Sequence, residues 1–161
     1  MAIRRKLITQ IPYIFPEDPA ILRNYEFQKG DDPVEVRQKA YKAYRESWDL
    51  SHLHLDGTET VFHLEAMSDR IKLRCAPYSV VDELQYTLRA VIKKVDNWGF
   101  VDSDKGIEIA ADPLVFTEEK FGDVSYFFLT EASLSALDLS DDMKTTLFII
   151  AKEIANGTEG N

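Results

Sequence analysis

The sequence predicts an α+β fold: a mainly helical single domain with a small β-hairpin and an extended N-terminal arm. Three observations carry this. Apolar residues recur at helical spacing in 33–46, 79–96 and 141–155. One stretch, 50–66, alternates and is rich in strand formers. The first 16 residues are broken by Pro12 and Pro16, which forbid a helix and disfavour a central strand. A chain of 161 residues, 45% of them hydrophobic, is the size of one domain and can build a core. The expected organisation is an arm and short helix over 1–32, a globular α+β domain over 33–157 and a frayed tail over 158–161.

Each element has a local reason. In 1–16, Ile8, Ile11, Tyr13, Ile14 and Phe15 form an apolar stripe on an extended backbone. Asp18-Pro19 is a cap followed by a first-turn proline and predicts a short helix over 19–25. Gly30-Asp31-Asp32-Pro33 turns and starts the next helix, where Val36, Ala40, Ala43 and Tyr44 share a face. Leu53 and Leu55 alternate with His52 and His54; Asp56-Gly57 is a turn; Thr60 to Leu64 reads as a strand, giving a hairpin over 50–66. Met67 to Arg74 predicts a short helix ended by Pro77. Ser79-Val80-Val81-Asp82 resembles a capping box and opens a helix over 79–96, carried by Leu84, Leu88, Val91, Ile92 and Val95 and stopped at Asn97-Trp98-Gly99.

Asp102 to Gly106 is turn chemistry, with a short strand at Ile107 to Ala110. Residues 111–125 read as an irregular acidic loop. Thr130 caps a helix over 131–137, and Ser140-Asp141-Asp142 starts a last helix over 141–155, with acids in its first turn.

The net charge is −9, from 19 Lys and Arg against 28 Asp and Glu. It is unevenly spread. Residues 1–95 hold 15 basic and 14 acidic residues, and residues 96–161 hold 4 and 14. Bulk charge therefore argues against nucleic acid, except at the arm, where Arg4, Arg5 and Lys6 can meet phosphate or an acidic protein. No apolar run approaches the ~18 residues of a membrane span, and no apolar segment of a secretory leader follows the basic start. A single cysteine, Cys75, leaves no internal disulfide and reads as a buried thiol.

No catalytic signature is present: there is no glycine-rich phosphate loop and no Gly-x-Ser-x-Gly. His52, His54 and His63 would meet near one point if the hairpin register placed them together, which is zinc-ligand chemistry; otherwise they are surface or packing histidines. Asp102-x-Asp104-x-Gly106-x-Glu108 departs from a calcium loop in the place of its glycine and in Pro113 at the twelfth position. Adjacent acids such as Glu118-Glu119 and Asp141-Asp142 do not by themselves define a catalytic pair. No catalytic, metal or cofactor site is expected. The candidate contact residues are Arg4, Arg5, Lys6, Ile11, Tyr13, Ile14 and Phe15, a basic start followed by an apolar stripe suited to lying across a neighbour.

The order of segments is similar to that of a known family. Thr60-Val61-Phe62-His63-Leu64-Glu65-Ala66-Met67-Ser68-Asp69-Arg70 is followed by Leu88-Arg89-Ala90-Val91, Asn97-Trp98-Gly99-Phe100, an acidic glycine turn, Phe128-Leu129-Thr130-Glu131-Ala132-Ser133-Leu134 and a final helix with a polar tail. Over roughly 58–161 this resembles small accessory proteins of tailed bacteriophages, encoded among capsid and tail genes. The resemblance implies a non-enzymatic structural or assembly role, in a virion or in the host cytoplasm during assembly. It also implies partners among capsid or tail proteins and homo- or hetero-oligomers. A small bacterial regulatory or ligand-binding domain, with a pocket under the hairpin, is the competing expectation.

Overall fold

The structure is a computed structural model that describes residues 10–67, 69, 80–102, 107–110 and 113–159. The elements are β1 (Gln10–Tyr13), α1 (Pro33–Ser47), a 3-10 turn (Leu50–Leu53), β2 (Val61–Glu65), α2 (Val80–Val91), β3 (Ile92–Asp96), β4 (Gly99–Asp102), β5 (Ile107–Ala110), β6 (Phe116–Phe121), β7 (Val124–Leu129), α3 (Glu131–Ala136) and α4 (Asp141–Glu159). The α+β class holds. Strand content exceeds the expectation: a three-stranded sheet in the order β1-β2-β3 and the two-stranded antiparallel pairs β4-β5 and β6-β7. The chain divides into two compact units, one comprising Pro12–Phe62 with Val95–Asn97, the other Met1–Ile11, His63–Lys94 and Trp98–Asn161.

The first unit is built on α1. Asp32 caps the helix through its side chain, which accepts from Val34 N–H at 3.0 Å, and Pro33 supplies a first-turn φ. Trp48 ends it in the left-handed region at φ 57°. The expected helix at 19–25 does not propagate. Asp18 Oδ1 accepts from Ala20 N–H at 2.9 Å, as a cap should, but Leu22 turns left-handed (φ 67°) and sends its N–H to Leu53 O at 2.8 Å. What remains is a run of turns.

The hairpin over 50–66 is also corrected. Asp49 caps the 3-10 turn by accepting from Ser51 N–H at 2.9 Å, and His54 is left-handed at φ 47°, so the Leu53/Leu55 alternation is not a strand. The Asp56-Gly57 turn is real: Asp56 Oδ1 accepts from Thr58 N–H at 3.0 Å and Gly57 sits at φ 92°. The strand beyond it pairs within the β1-β2-β3 sheet instead. Ile14, Ile21, Leu22, Tyr44, Leu53 and Val61 form this unit's core.

Asn97 closes a loop here. At φ 54° it is left-handed, and its side-chain N–H groups donate to Gly57 O and Glu59 O, both at 2.9 Å. Asn97→Gly, which keeps the backbone conformation, is expected to cost about 1 kcal/mol in a denaturant titration, and Asn97→Ala about 2 kcal/mol, the difference being left-handed strain.

In the second unit, α2 packs on β7 and α4 around Met67, Tyr86, Ala90, Val91, Phe128, Ala151 and Ala155. The helix expected over 79–96 ends at Val91 and becomes β3. Its stripe of Leu88, Ile92 and Val95 has helical spacing, but the β-branched Val91, Ile92 and Val95 favour a strand once a sheet is there to receive it. The β4-β5 pair confirms the strand at Ile107–Ala110, in register Gly99↔Ala110 to Asp102↔Ile107.

The acidic loop expected over 111–125 is a hairpin. Gly122 (φ 64°) and Asp123 form its two-residue turn, with glycine at the first central position as a type II′ turn requires. Thr130 Oγ1 accepts from Ser133 N–H at 3.1 Å to cap α3, and Ser140 Oγ accepts from Met143 N–H at 3.1 Å at the start of α4. That last helix runs past Gly157 to Glu159, two residues into the expected tail. The helix expected at Met67 to Arg74 lies, apart from Met67 and Asp69, outside the described residues.

Candidate functional site

Among the described residues the apolar stripe packs into the core; Ile8 lies outside them. Ile11 and Tyr13 are each 1% exposed and Ile14 is 0% exposed. Phe15 is half-buried, edge-on to Tyr13 at 5.1 Å and to Phe62 at 5.4 Å. Tyrosines hold the segment from α1. The Tyr44 hydroxyl accepts from Ile14 N–H at 3.0 Å and donates to Pro12 O, while the Tyr41 hydroxyl donates to Ile14 O at 2.7 Å. Burial pushes both phenols far above their ordinary range, so both hydroxyls stay protonated donors at neutral pH. Ile11, Tyr13 and Ile14, expected as contact residues, are spent here on this chain's own packing. Arg4, Arg5 and Lys6 lie outside the described residues.

The histidines separate. His63 is on β2, in the second unit, and His52 and His54 flank a cleft in the first. Among the described residues no three His, Cys, Asp or Glu side chains gather as metal ligands do. Cys75 and residues 103–106 of the calcium-like stretch lie outside the described residues; Asp102 and Glu108 stand on β4 and β5.

The cleft, about 530 Å³, runs between the 3-10 turn and α1 and is lined by Tyr25, Asp31, Lys39, Ser51, His52 and His54, with Leu22 and Val36 beneath. Much of its polar chemistry is already engaged. Asp31 Oδ2 accepts from Gln28 N–H at 2.7 Å and from the Tyr25 hydroxyl at 3.4 Å. Desolvation first, and the Asp31 carboxylate second, raise the Tyr25 phenol. The Tyr25 and His54 rings meet edge-on at 5.2 Å, and Lys39 lies 3.4 Å from Glu35.

The second unit presents the β6-β7 hairpin, a feature the sequence reading missed. Its register runs from Phe116↔Leu129 to Phe121↔Val124. Phe128 packs in the core, edge-tilted on Tyr86 at 5.2 Å, and the Tyr86 hydroxyl donates to Glu119 Oε2 at 3.2 Å. The opposite face carries Phe127, 55% exposed and across the strand from Glu118. Val115, one residue before β6, is 56% exposed. The outer edge of β7 is closed by cations: Arg89 Nε donates to Leu129 O at 2.7 Å and Lys93 Nζ to Phe127 O at 2.9 Å. Arg89 also approaches Glu131 at 3.6 Å, and Lys93 approaches Glu65 at 3.2 Å, which fixes both side chains in place. The signal that would have revealed the hairpin is the pair Gly122-Asp123 directly before Val124 to Leu129, a run rich in strand-forming residues.

No protein-family model matches this chain, and neither a curated protein nor a solved structure does.

Proposed function

We propose that this chain is a non-enzymatic virion or morphogenesis protein of tailed bacteriophages, acting by contacts with capsid or tail proteins. The observation that carries the reading is the outward face of the β6-β7 hairpin, where Phe127 presents a large apolar side chain, 55% exposed, beside the charged Glu118. An apolar centre rimmed by charge is the usual make-up of a protein contact surface. The order of segments over 58–161 supports the phage assignment. The excess of acid over base in residues 96–161 supports a basic partner surface.

Mass spectrometry of gradient-purified particles, with and without the gene, tests this. The chain should be found in particles, or particle yield should fall when the gene is deleted. A chain absent from particles whose deletion leaves yield unchanged overturns the reading. Phe127→Glu should reproduce the deletion phenotype with the fold retained, as judged by circular dichroism.

A second reading, a ligand-binding domain, is favoured by the cleft of the first unit. Its imidazoles and the Lys39 ammonium suit a small anionic metabolite. Native mass spectrometry of protein purified from its host should then show a bound mass that Lys39→Ala and His52→Ala remove. A spectrum of unliganded chain alone contradicts that reading.

A further inference from the structure

We propose that β6 is a self-recognition edge: two copies of this chain join by antiparallel pairing of Phe116–Phe121 with itself, in the register that sets Glu118 of one copy opposite Lys120 of the other. The inference uses the edge of the hairpin, not its face, and stands whether or not the chain belongs to a virion.

The phase of the β6-β7 ladder decides which backbone groups point outward. In an antiparallel pair, hydrogen-bonded and non-hydrogen-bonded residue pairs alternate. Thr130 N–H donates to Val115 O at 3.0 Å, so 115 and 130 are a bonded pair. The pairs Thr117↔Phe128, Glu119↔Tyr126 and Phe121↔Val124 then share that phase. Phe127 and Leu129 must turn their backbone groups away from β6, and their carbonyls are the ones that Lys93 and Arg89 occupy. By the same alternation Phe116, Glu118 and Lys120 turn theirs away from β7. Among the described residues nothing receives them. Among the described residues one edge of the hairpin is plugged and the other is open.

An open edge invites a strand, and charged side chains normally deter one. Here the deterrent cancels in a single register. A two-fold axis between copies of β6 must pair outward residues with outward residues. Glu118 on Glu118 opposes two carboxylates, and Lys120 on Lys120 opposes two ammonium groups. Glu118 on Lys120 instead places opposite charges across the ladder, and symmetry does so twice. Both side chains are exposed and free to meet their counterparts. In this register Glu119 falls on the axis, on the other face, where the Tyr86 hydroxyl donates to its carboxylate; that one like-charge pair is set against two Glu118–Lys120 pairs. The product is a four-stranded sheet, β7-β6-β6-β7, with both outer edges closed by Arg89 and Lys93.

Sedimentation equilibrium of the full chain tests this against charge variants. The wild type should be a concentration-dependent dimer. Lys120→Glu sets carboxylates against each other twice and should weaken the dimer at least tenfold. The double variant E118K/K120E restores opposite charges in the same register and should return the dissociation constant to within about threefold of wild type. Circular dichroism and thermal melts check that all three fold alike, as substitutions at exposed strand positions should. A wild type that stays monomeric at millimolar concentration overturns the proposal. So does a dimer indifferent to Lys120→Glu, or one that the double variant fails to restore.

Discussion

Phe128→Ala is expected to lower the stability of the chain by about 3–5 kcal/mol, while Phe127→Ala changes it by no more than about 0.5 kcal/mol. The two residues are neighbours of identical chemistry. Phe128 is 1% exposed, packed among Tyr86, Ala90, Val91 and Ala151, and its removal leaves a ring-sized cavity that the helices around it cannot close. Phe127 points to the opposite face and loses only its own exposed surface. The contrast follows from the two-residue period of β7. Denaturant titrations of both variants measure it. Equal losses would mean that 124–129 is not a strand with one buried face.

Tyr44→Phe is expected to cost about 2–4 kcal/mol, a large effect for the loss of one oxygen. The ring, 0% exposed, would still fill its site. What disappears is a hydroxyl that receives Ile14 N–H and gives to Pro12 O, leaving a buried donor and acceptor without partners. Tyr41→Phe removes a single donor to Ile14 O and should cost about 1 kcal/mol.

The same tyrosines set an alkaline limit. Their folded pKa values are raised by burial, whereas in the unfolded chain they titrate near 10. Below that pH both states hold the protons and the full stability is present. As pH rises above about 10 the unfolded state releases protons that the folded state keeps, so stability falls by about 1.4 kcal/mol per pH unit for each tyrosine. The double variant Y41F/Y44F should lose roughly that part of the slope. An unchanged slope would contradict the buried pair.

The helices were legible because their signals are local. Asp32-Pro33, Thr130 and Ser140 cap where a cap was expected, and α1 and α4 start at the residues their apolar stripes predict. The misread segments were those whose fate is decided by distant residues. Asp18 caps correctly, yet the turn after it is diverted by Leu53 O. The stripe Leu88 to Val95 has helical spacing, but its β-branched residues accept a strand, and sheet pairing decides for β3 beyond Val91.

For the candidate sites the pattern repeats. The proline-broken stripe signalled a segment that cannot be a helix, but not that Tyr41 and Tyr44 would tie it down, because those bonds span about thirty residues. The hairpin was obscured by its acidity: Glu118, Glu119 and Asp123 suggested a solvated loop, and the turn pair Gly122-Asp123 before the aromatic run of β7 was the stronger signal.

Amide hydrogen exchange along β6, read residue by residue at low and high protein concentration, tests the open self-pairing edge most directly. Thr117, Glu119 and Phe121 N–H groups should be protected at both concentrations, being bonded to β7. Glu118 and Lys120 N–H groups should exchange freely in dilute solution and gain protection as concentration rises. Protection of Glu118 and Lys120 in the dilute monomer, or free exchange at every concentration, would contradict the account.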